Sequence, residues 1–565
     1  MKKLIAVLLS LSTVMALAGC SKKTEETTKK TKKTKDTEIT ETEDPETEEP
    51  ETTTTSETSE SESSSESETT TSKNGGVYPI SSDFVIKNDQ KNLDMEIVSE
   101  PREYALLDSD NHYAEIYKSV DMIQLSQEET EAHEQLWNTL EANHYNLNSD
   151  FDAEYDKLLP ELVNSVKNGT YKTDYTLTSD ITVFRADTAI ISYIATKEYG
   201  TPSVSNESAI AYNYRTSDGM EYMFDDIVTD RAGFADFFEK YYADSDADDY
   251  EKAAVKDLAK RIRDVNERID FVIGYDAIYI LDRTDSTYPQ YYKIPAMFAG
   301  DYLDVSLFGS TPEYYTLTND IYNRITWDLD GDGKMDEVSV EFETDEYDSI
   351  VNAVIVLNGT EKCPVPDSEL VEGSSALMFV SMRLMKTDSG FYAYLEMSLE
   401  EEDSIVYVFR YDNGHFEYQS RFEGNLGLDP CYNPDNFPIT SRNDIFGTGL
   451  MKYSCSVIKH NGNPCILNDY GDKRGIGITK KEIVCIRAER GQPEEETYTI
   501  PANTAVRLYG IDPEQGWILA TTLNEDSSKN VIFKLKIEIE DGYKFKYGEN
   551  SEEQDELFAG IRYAG

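Results

Sequence analysis

The sequence predicts an α+β domain followed by a β-rich, propeller-like repeat region and a small β-barrel, with a long polar tether ahead of all three. Three observations predict this. Between residues 21 and 76 the chain is almost wholly Thr, Ser, Glu and Lys without an aromatic residue, so it cannot bury enough apolar surface to fold. Between 77 and 309, stretches with helical spacing of apolar residues mix with stretches that alternate. Beyond 310, short alternating segments recur at regular intervals, punctuated by Asn-Gly and Asp-Asn-Gly turns. The roughly 490 residues after the tether are too many for one core and divide into 77–309, 310–498 and 499–565.

The start of the chain reads as an export signal over residues 1–19. Lys2 and Lys3 are a cationic beginning, 4–16 is apolar, and Leu17-Ala18-Gly19-Cys20 closes the segment. That tetrapeptide resembles the bacterial lipobox, which implies cleavage before Cys20 and acylation of its thiol and new amino terminus. The resemblance implies a diacylglyceryl-type anchor at the extracytoplasmic face of the cell membrane, since the apolar run is too short to span. The lysine-rich part of the tether, 22–35, suits anionic headgroups, and the Glu/Thr/Ser part beyond it repels itself and extends.

Net charge is -56 and little of it lies in the tether, so the folded part is acidic throughout. This argues against nucleic acid as a partner and for solubility, cation binding or a basic partner. Besides Cys20 there are Cys363, Cys431, Cys455, Cys465 and Cys485, none in a C-x-x-C pair, so paired-cysteine zinc is unsupported. One or two disulfides, Cys455 with Cys465 among the candidates, suit an exported chain, and free thiols suit it equally. The five histidines lack metalloprotease spacing, and no Gly-x-Ser-x-Gly elbow, P-loop or dinucleotide fingerprint occurs. His133 and His144 read as helix-solvating. No enzyme is predicted, although Asp and Glu are abundant enough to hide a glycosidase pair.

In 77–309, Ser126 with Glu129 reads as a capping box opening a helix with Leu136, Trp137 and Leu140. A second helix follows over 151–166, ending at Asn168-Gly169. Strands are expected at 175–183, 189–194, 210–214 and 220–224, then helices at 234–242 and 250–269, then strands at 271–281 and 303–307. The order, with Val183-Phe-Arg185-Ala-Asp187, Ile190-Ile-Ser192-Tyr193, Tyr212-Asn-Tyr214, Phe224-Asp-Asp226-Ile227 and Tyr292-Lys-Ile-Pro295, resembles the exported domain of lysozyme-sensing anti-sigma factors and of peptidoglycan deacetylase accessory regions. Where that family carries a Gly-Gly-Ala-His type segment, this chain has Tyr199-Gly200-Thr-Pro-Ser-Val-Ser-Asn206. The resemblance therefore implies the fold more than the ligand.

The chemistry concentrates in Asp328-Leu-Asp330-Gly-Asp332-Gly333-Lys334-Met-Asp336. Asp at positions 1, 3, 5 and 9, with the position-7 residue Lys334, can converge oxygen ligands on a hard cation, and Gly333 permits the turn. Position 12 is Ser339 rather than the bidentate Glu of an EF-hand, and 324–327 and 338–342 alternate like strands. The pattern strand, loop, strand resembles the calcium-binding hairpin of FG-GAP or VCBS-type β-repeats, which implies Ca²⁺ as a structural staple. Further strands are expected at 350–357, 376–385, 390–398, 405–411 and 415–419. Residues 402–411 resemble a repeat that has lost its carboxylates. The end of the chain, with 501–508, Gly516-Trp517-Ile-Leu519 and 531–536, resembles a small SH3-like β-barrel.

Together these features predict a lipid-anchored, non-enzymatic, calcium-binding surface protein with a wall glycan or an extracellular protein as its ligand. The alternatives are a wall-active hydrolase or deacetylase, or its accessory subunit, and a receptor for cationic proteins such as lysozyme.

Overall fold

The computed structural model describes residues 78–561 apart from short internal stretches, the longest being 108–112, 284–289, 345–349, 371–376, 399–403, 427–432, 458–464 and 489–495. The signal-like segment, Cys20, the tether and Cys431 lie outside the described residues. No helix among the described residues is long and apolar enough to cross a membrane.

The first region is a seven-stranded sheet with a long helix against one face. β1 (Met95–Ser99) and β2 (Arg102–Leu107) pair antiparallel with successive parts of β3 (Tyr113–Leu125). After α1 (Gln127–Ala132) and α2 (Glu134–Lys167), β4 (Tyr175–Ser179) returns parallel to β3, as a strand–helix–strand crossover allows. β5 (Ile181–Ala186), β6 (Ile190–Thr201) and β7 (Val204–Arg215) complete the sheet antiparallel. The period of two sorts the side chains: Val183, Ile191 and Tyr193 meet Leu136 and Leu140 of α2, whereas Phe184 and Ile194 meet Val272 and Tyr279 on the other face.

One helix replaces the two expected between 126 and 168. Ser126 accepts a hydrogen bond from the Glu129 N–H at 3.4 Å, but it caps only α1, and α2 then runs unbroken for 34 residues. The polar stretch 141–150 holds no Gly or Pro to stop it, and Leu140, Phe151, Tyr155 and Leu158 are buried against the sheet on either side. Tertiary packing therefore carries the helix through a segment of weak propensity. It ends where the sequence places its end, at Gly169 with φ +63°.

Opposite α2 lie α3 (Arg231–Ala243), α4 (Asp249–Arg263) and a sheet of β8 (Phe271–Ile273), β9 (Ala277–Asp282) and β10 (Gln290–Pro295). Residues 220–224, expected as a strand, make one bridge between Tyr214 and Glu221 before a helical turn at Phe224–Ile227. Leu303–Leu307, also expected as a strand, is bridged at Leu303 to Val228 and then coils as a 3-10 turn.

Arg185 and Asp187 form an ion pair at 2.7 Å, both almost fully buried. The guanidinium also donates to the Leu307 and Ser310 carbonyls at 2.7 and 3.2 Å, and Asp187 accepts from the Ala189 and Ile190 N–H groups. The motif that carries the family resemblance is thus a structural clasp. Ser192 and Asn213 form a second one, tying β6 and β7 to the backbone of Phe271 and Ile273.

From β11 (Tyr315–Thr318) onward the chain forms two antiparallel meanders. One is β12 (Arg324–Trp327), β13 (Asp336–Thr344), β14 (Ile350–Leu357) and β15 (Glu361–Pro364). The other is β16 (Met378–Thr387), β17 (Gly390–Ser398), β18 (Ser404–Asp412) and β19 (His415–Glu423), with β11 added at the β16 edge. β18 turns into β19 through Asn413 and Gly414 at φ +48° and +87°, the left-handed pair that a tight hairpin needs. Among the described residues two meanders occur, where a closed propeller needs four or more blades. Trp327, Leu395 and Phe409 share one core with Phe238, Ile278 and Ile294, so the packing does not break at residue 310.

The strands from Phe437 onward form one twelve-stranded sheet. Its main path joins β20 (Phe437–Asn443), β21 (Gly449–Ser456), β22 (Gly471–Thr479), β25 (Ala505–Asp512), β26 (Trp517–Thr522), β27 (Ile532–Glu540), β23 (Ile483–Arg487) and β24 (Thr497–Ile500). Strands from both sides of residue 498 thus enter one sheet around Ile483, Leu508 and Phe533, and the segment 499–565 is not a separate sheet. Alternation marks each strand, but which strand pairs with which depends on long-range packing. Cys455 stands opposite Ile466 and Cys465 opposite Ser456, one step out of register. Cys485 is buried, and burial pushes its thiol up to about 12.

Candidate metal centre

β12 and β13 are antiparallel with Trp327 opposite Asp336, so residues 328–335 are the connection between them. Trp327 is 0 % exposed and its indole N–H donates to the Tyr315 hydroxyl at 2.9 Å, which fixes the strand end from which the loop leaves. Gly331 at φ +76° and Gly333 at φ +86° make the reversals that a Cβ would strain.

The loop is then knitted by its own carboxylates. Asp328 accepts the Gly331 N–H at 2.7 Å on one oxygen and the Gly333 N–H at 3.0 Å on the other. Asp330 accepts from the Asp332 N–H at 3.0 Å and Asp332 from the Lys334 N–H at 2.8 Å. These bonds turn the side chains inward, so that one oxygen each of Asp328, Asp330 and Asp332 lies within 4.8 Å of the others. Like charges at that separation repel by about 1 kcal/mol per pair in water and by several times that near a protein surface. The Lys334 ammonium stands 3.8 Å from Asp332 and relieves part of this.

Asp336 takes a different role. Its two oxygens accept from the Leu329 N–H at 3.1 Å and the Asn358 amide at 2.8 Å, and it is not among the converging carboxylates. Asn358, at φ +52°, also accepts from the Glu337 N–H at 2.9 Å, so it latches the loop to the β14 turn. In the sequence the Asn358-Gly359 step reads as a turn, and the fold adds this contact.

At the start of β12, away from the loop, Arg324 donates to Asp320 at 3.0 Å and lies 3.6 Å from Glu337, while the Tyr241 hydroxyl donates to Asp320 at 2.6 Å. Burial raises the Glu337 carboxyl above its ordinary range despite Arg324. Tyr411 is held up at about 12 by burial first and then by Asp336, Asp330, Asp328 and Asp332.

The donor set fits a hard divalent cation. Three carboxylates keep lone pairs beyond those used for the loop's N–H groups, and the Lys334 carbonyl lies at the ligand position of such loops. The remaining histidine expectations divide. His133 sits 3.3 Å from Glu129 between α1 and α2, and His415 lies beside Glu417, whereas His144 faces the sheet with Nδ1 3.3 Å from the Asp121 carbonyl.

No protein-family model matches the chain, and no curated protein matches it. Two solved structures show a weak likeness. A DUF3298-family protein of Bacteroides fragilis is 15% identical with a TM-score of 0.27, over 38% of this chain and 95% of that one. A DUF3298-family protein of Pseudomonas aeruginosa is 9% identical with a TM-score of 0.26, over 38% of this chain and 96% of that one. At this level of likeness no property passes from either protein to this chain.

Proposed function

We propose that this is a lipid-anchored, extracytoplasmic, non-enzymatic surface protein in which Ca²⁺ staples the β12–β13 hairpin. The observation that carries the reading is the convergence of Asp328, Asp330 and Asp332 at a strand-flanked turn. Bound Ca²⁺ neutralises the clustered carboxylates and rigidifies the loop. Asp328, Asp330, Asp332 and the Lys334 carbonyl hold it, with Asp336 bracing the loop from the β13 side. In this reading the hairpin is of the FG-GAP or VCBS type, the meanders are propeller-like, and the last strands are SH3-like. Cys20 carries the anchor, the tether lifts the folded part away from the membrane, and the folded part binds a wall glycan or an extracellular protein. Substituting Cys20→Ala should move the chain from the membrane fraction to the medium, and unchanged membrane retention contradicts the anchor.

A second reading, capture of a cationic protein, is favoured by the net charge of -56. Lysozyme retained by the chain and released by rising salt supports it, and retention that ignores salt counts against it.

A further inference from the structure

We propose that the cleft between α2 and the carboxyl ends of β3 and β4 binds a single neutral sugar ring. The inference rests on the surface-binding part of the proposed function and is independent of the calcium part, because cleft and acidic loop belong to different sheets.

The cleft has a volume of about 210 Å³. That is below the roughly 300–1,000 Å³ of sites for drug-sized molecules, so its occupant is of one-ring size. Its lining includes Asp121–Ile123 near the end of β3 and Ser179, the last residue of β4, and these two strands are the parallel pair of the sheet.

Its lining is two-sided. One wall is apolar and aromatic, with Ile181, Ile210, Tyr193 and Tyr212, the two tyrosine rings 5.0 Å apart. Beside it stand uncharged hydrogen-bonding groups, Ser179 and Asn143. Ser179 is 1% exposed, and its hydroxyl has no hydrogen-bond partner among the described residues. A buried hydroxyl left alone is costly, so a ligand group that bonds it gains most. Asn143 spends its NH₂ on the Tyr193 and Tyr214 hydroxyls at 3.3 and 2.9 Å, which leaves its oxygen to accept. A carbonyl can only accept, so the contact with the Asp121 carbonyl makes Nδ1 of His144 the donor.

Three charged side chains, Asp121, Asp150 and Lys197, line the cleft. Lys197 lies 3.9 Å from Asp150 and over the Phe151 ring, and Asp121 accepts from the Ser99 hydroxyl and the Ile181 N–H. The lining sums to one negative charge, that of Asp121, which repels an anion and can accept from a ligand hydroxyl. An apolar face that meets C–H groups, with hydroxyl-bonding groups beside it, describes a pyranose ring.

The test uses the full chain and saturation-transfer NMR with N-acetylglucosamine and glucose, with phenol as the aromatic control. Transfer to the ring C–H protons of a sugar supports the proposal when Ser179→Ala and Asn143→Leu weaken it about fivefold, the weight of one hydrogen bond. Should either variant misfold, Ile210→Trp fills the mouth from an exposed position and should abolish transfer. Transfer to phenol alone, no transfer to either sugar, or equal transfer in the filled variant overturns the proposal. Wall material retained equally by wild type and Ile210→Trp leaves the surface-binding reading standing and overturns the cleft. Sugar transfer without wall retention upholds the cleft and removes the surface reading.

Discussion

Trp327 and Asp336 are register partners, the rung that closes the β12–β13 hairpin around the acidic loop. On one strand the indole is fully buried beside Phe84 and Tyr315, and on the other the carboxylate ties Leu329 and Asn358. Core and loop therefore meet at one rung, and tightening the loop is transmitted to the indole.

The chain holds three tryptophans, Trp137, Trp327 and Trp517, one in each folded region. With 5-fluorotryptophan incorporated, fluorine NMR should show calcium moving the Trp327 resonance and leaving the other two in place. Movement of all three, or of none, is the contrary outcome.

Asn358 joins the loop to the β14 turn through Asp336 and the Glu337 N–H. Asn358→Ala removes both bonds and puts a Cβ-bearing residue without a side-chain partner at φ +52°. Loss of about 1–3 kcal/mol in chemical denaturation followed at Trp327 is expected. A change under about 0.5 kcal/mol, the size of an ordinary surface substitution, would refute the latch.

The Arg185–Asp187 pair is buried, so removing one partner strands the other. Arg185→Met also frees the Leu307 and Ser310 carbonyls and should cost about 3–5 kcal/mol. Replacing both residues with apolar ones of similar volume should recover part of that loss. Denaturation midpoints of the single and double variants separate the two effects.

Glu198 and Glu207 face each other across β6 and β7. Burial, then Glu198 and Asp180, raises the Glu207 carboxyl from its ordinary 4.5 to about 8. The folded chain thus holds more protons than the unfolded chain between these values, and stability falls as pH climbs from about 4.5 through about 8. Glu207→Gln should flatten that decline and gain up to about 1 kcal/mol at pH 8 from relief of the like-charged pair. Denaturation at pH 5 and at pH 8 measures it, and an unchanged slope would contradict the assignment.

Much of this molecule was legible in the sequence, and the illegible part has a physical pattern. Strands with turn residues at both ends were found to the residue, as at Ile350–Leu357 and Gly390–Ser398, because Asn-Gly and Gly punctuate the alternation. The acidic loop was legible because its spacing is its geometry, although Asp336 proved to be a brace rather than one of the converging carboxylates. The single 34-residue helix was not legible, since burial against the sheet overrides the polar stretch 141–150. Nor was the pairing of β22 with β25 across residue 498, because partner choice lies in side-chain packing far apart in sequence. The cleft was hidden for the same reason: Ser179, Asn143 and His144 meet only after α2 has crossed the sheet.

Calcium-dependent melting of the wild type beside the Asp328→Ala/Asp332→Ala double variant tests the staple most directly. At free calcium about a hundred times its dissociation constant, binding adds about 2.7 kcal/mol, so the wild-type melting temperature should rise by several degrees. The double variant should melt at one temperature with or without the ion. A wild-type curve that calcium leaves unchanged contradicts the staple.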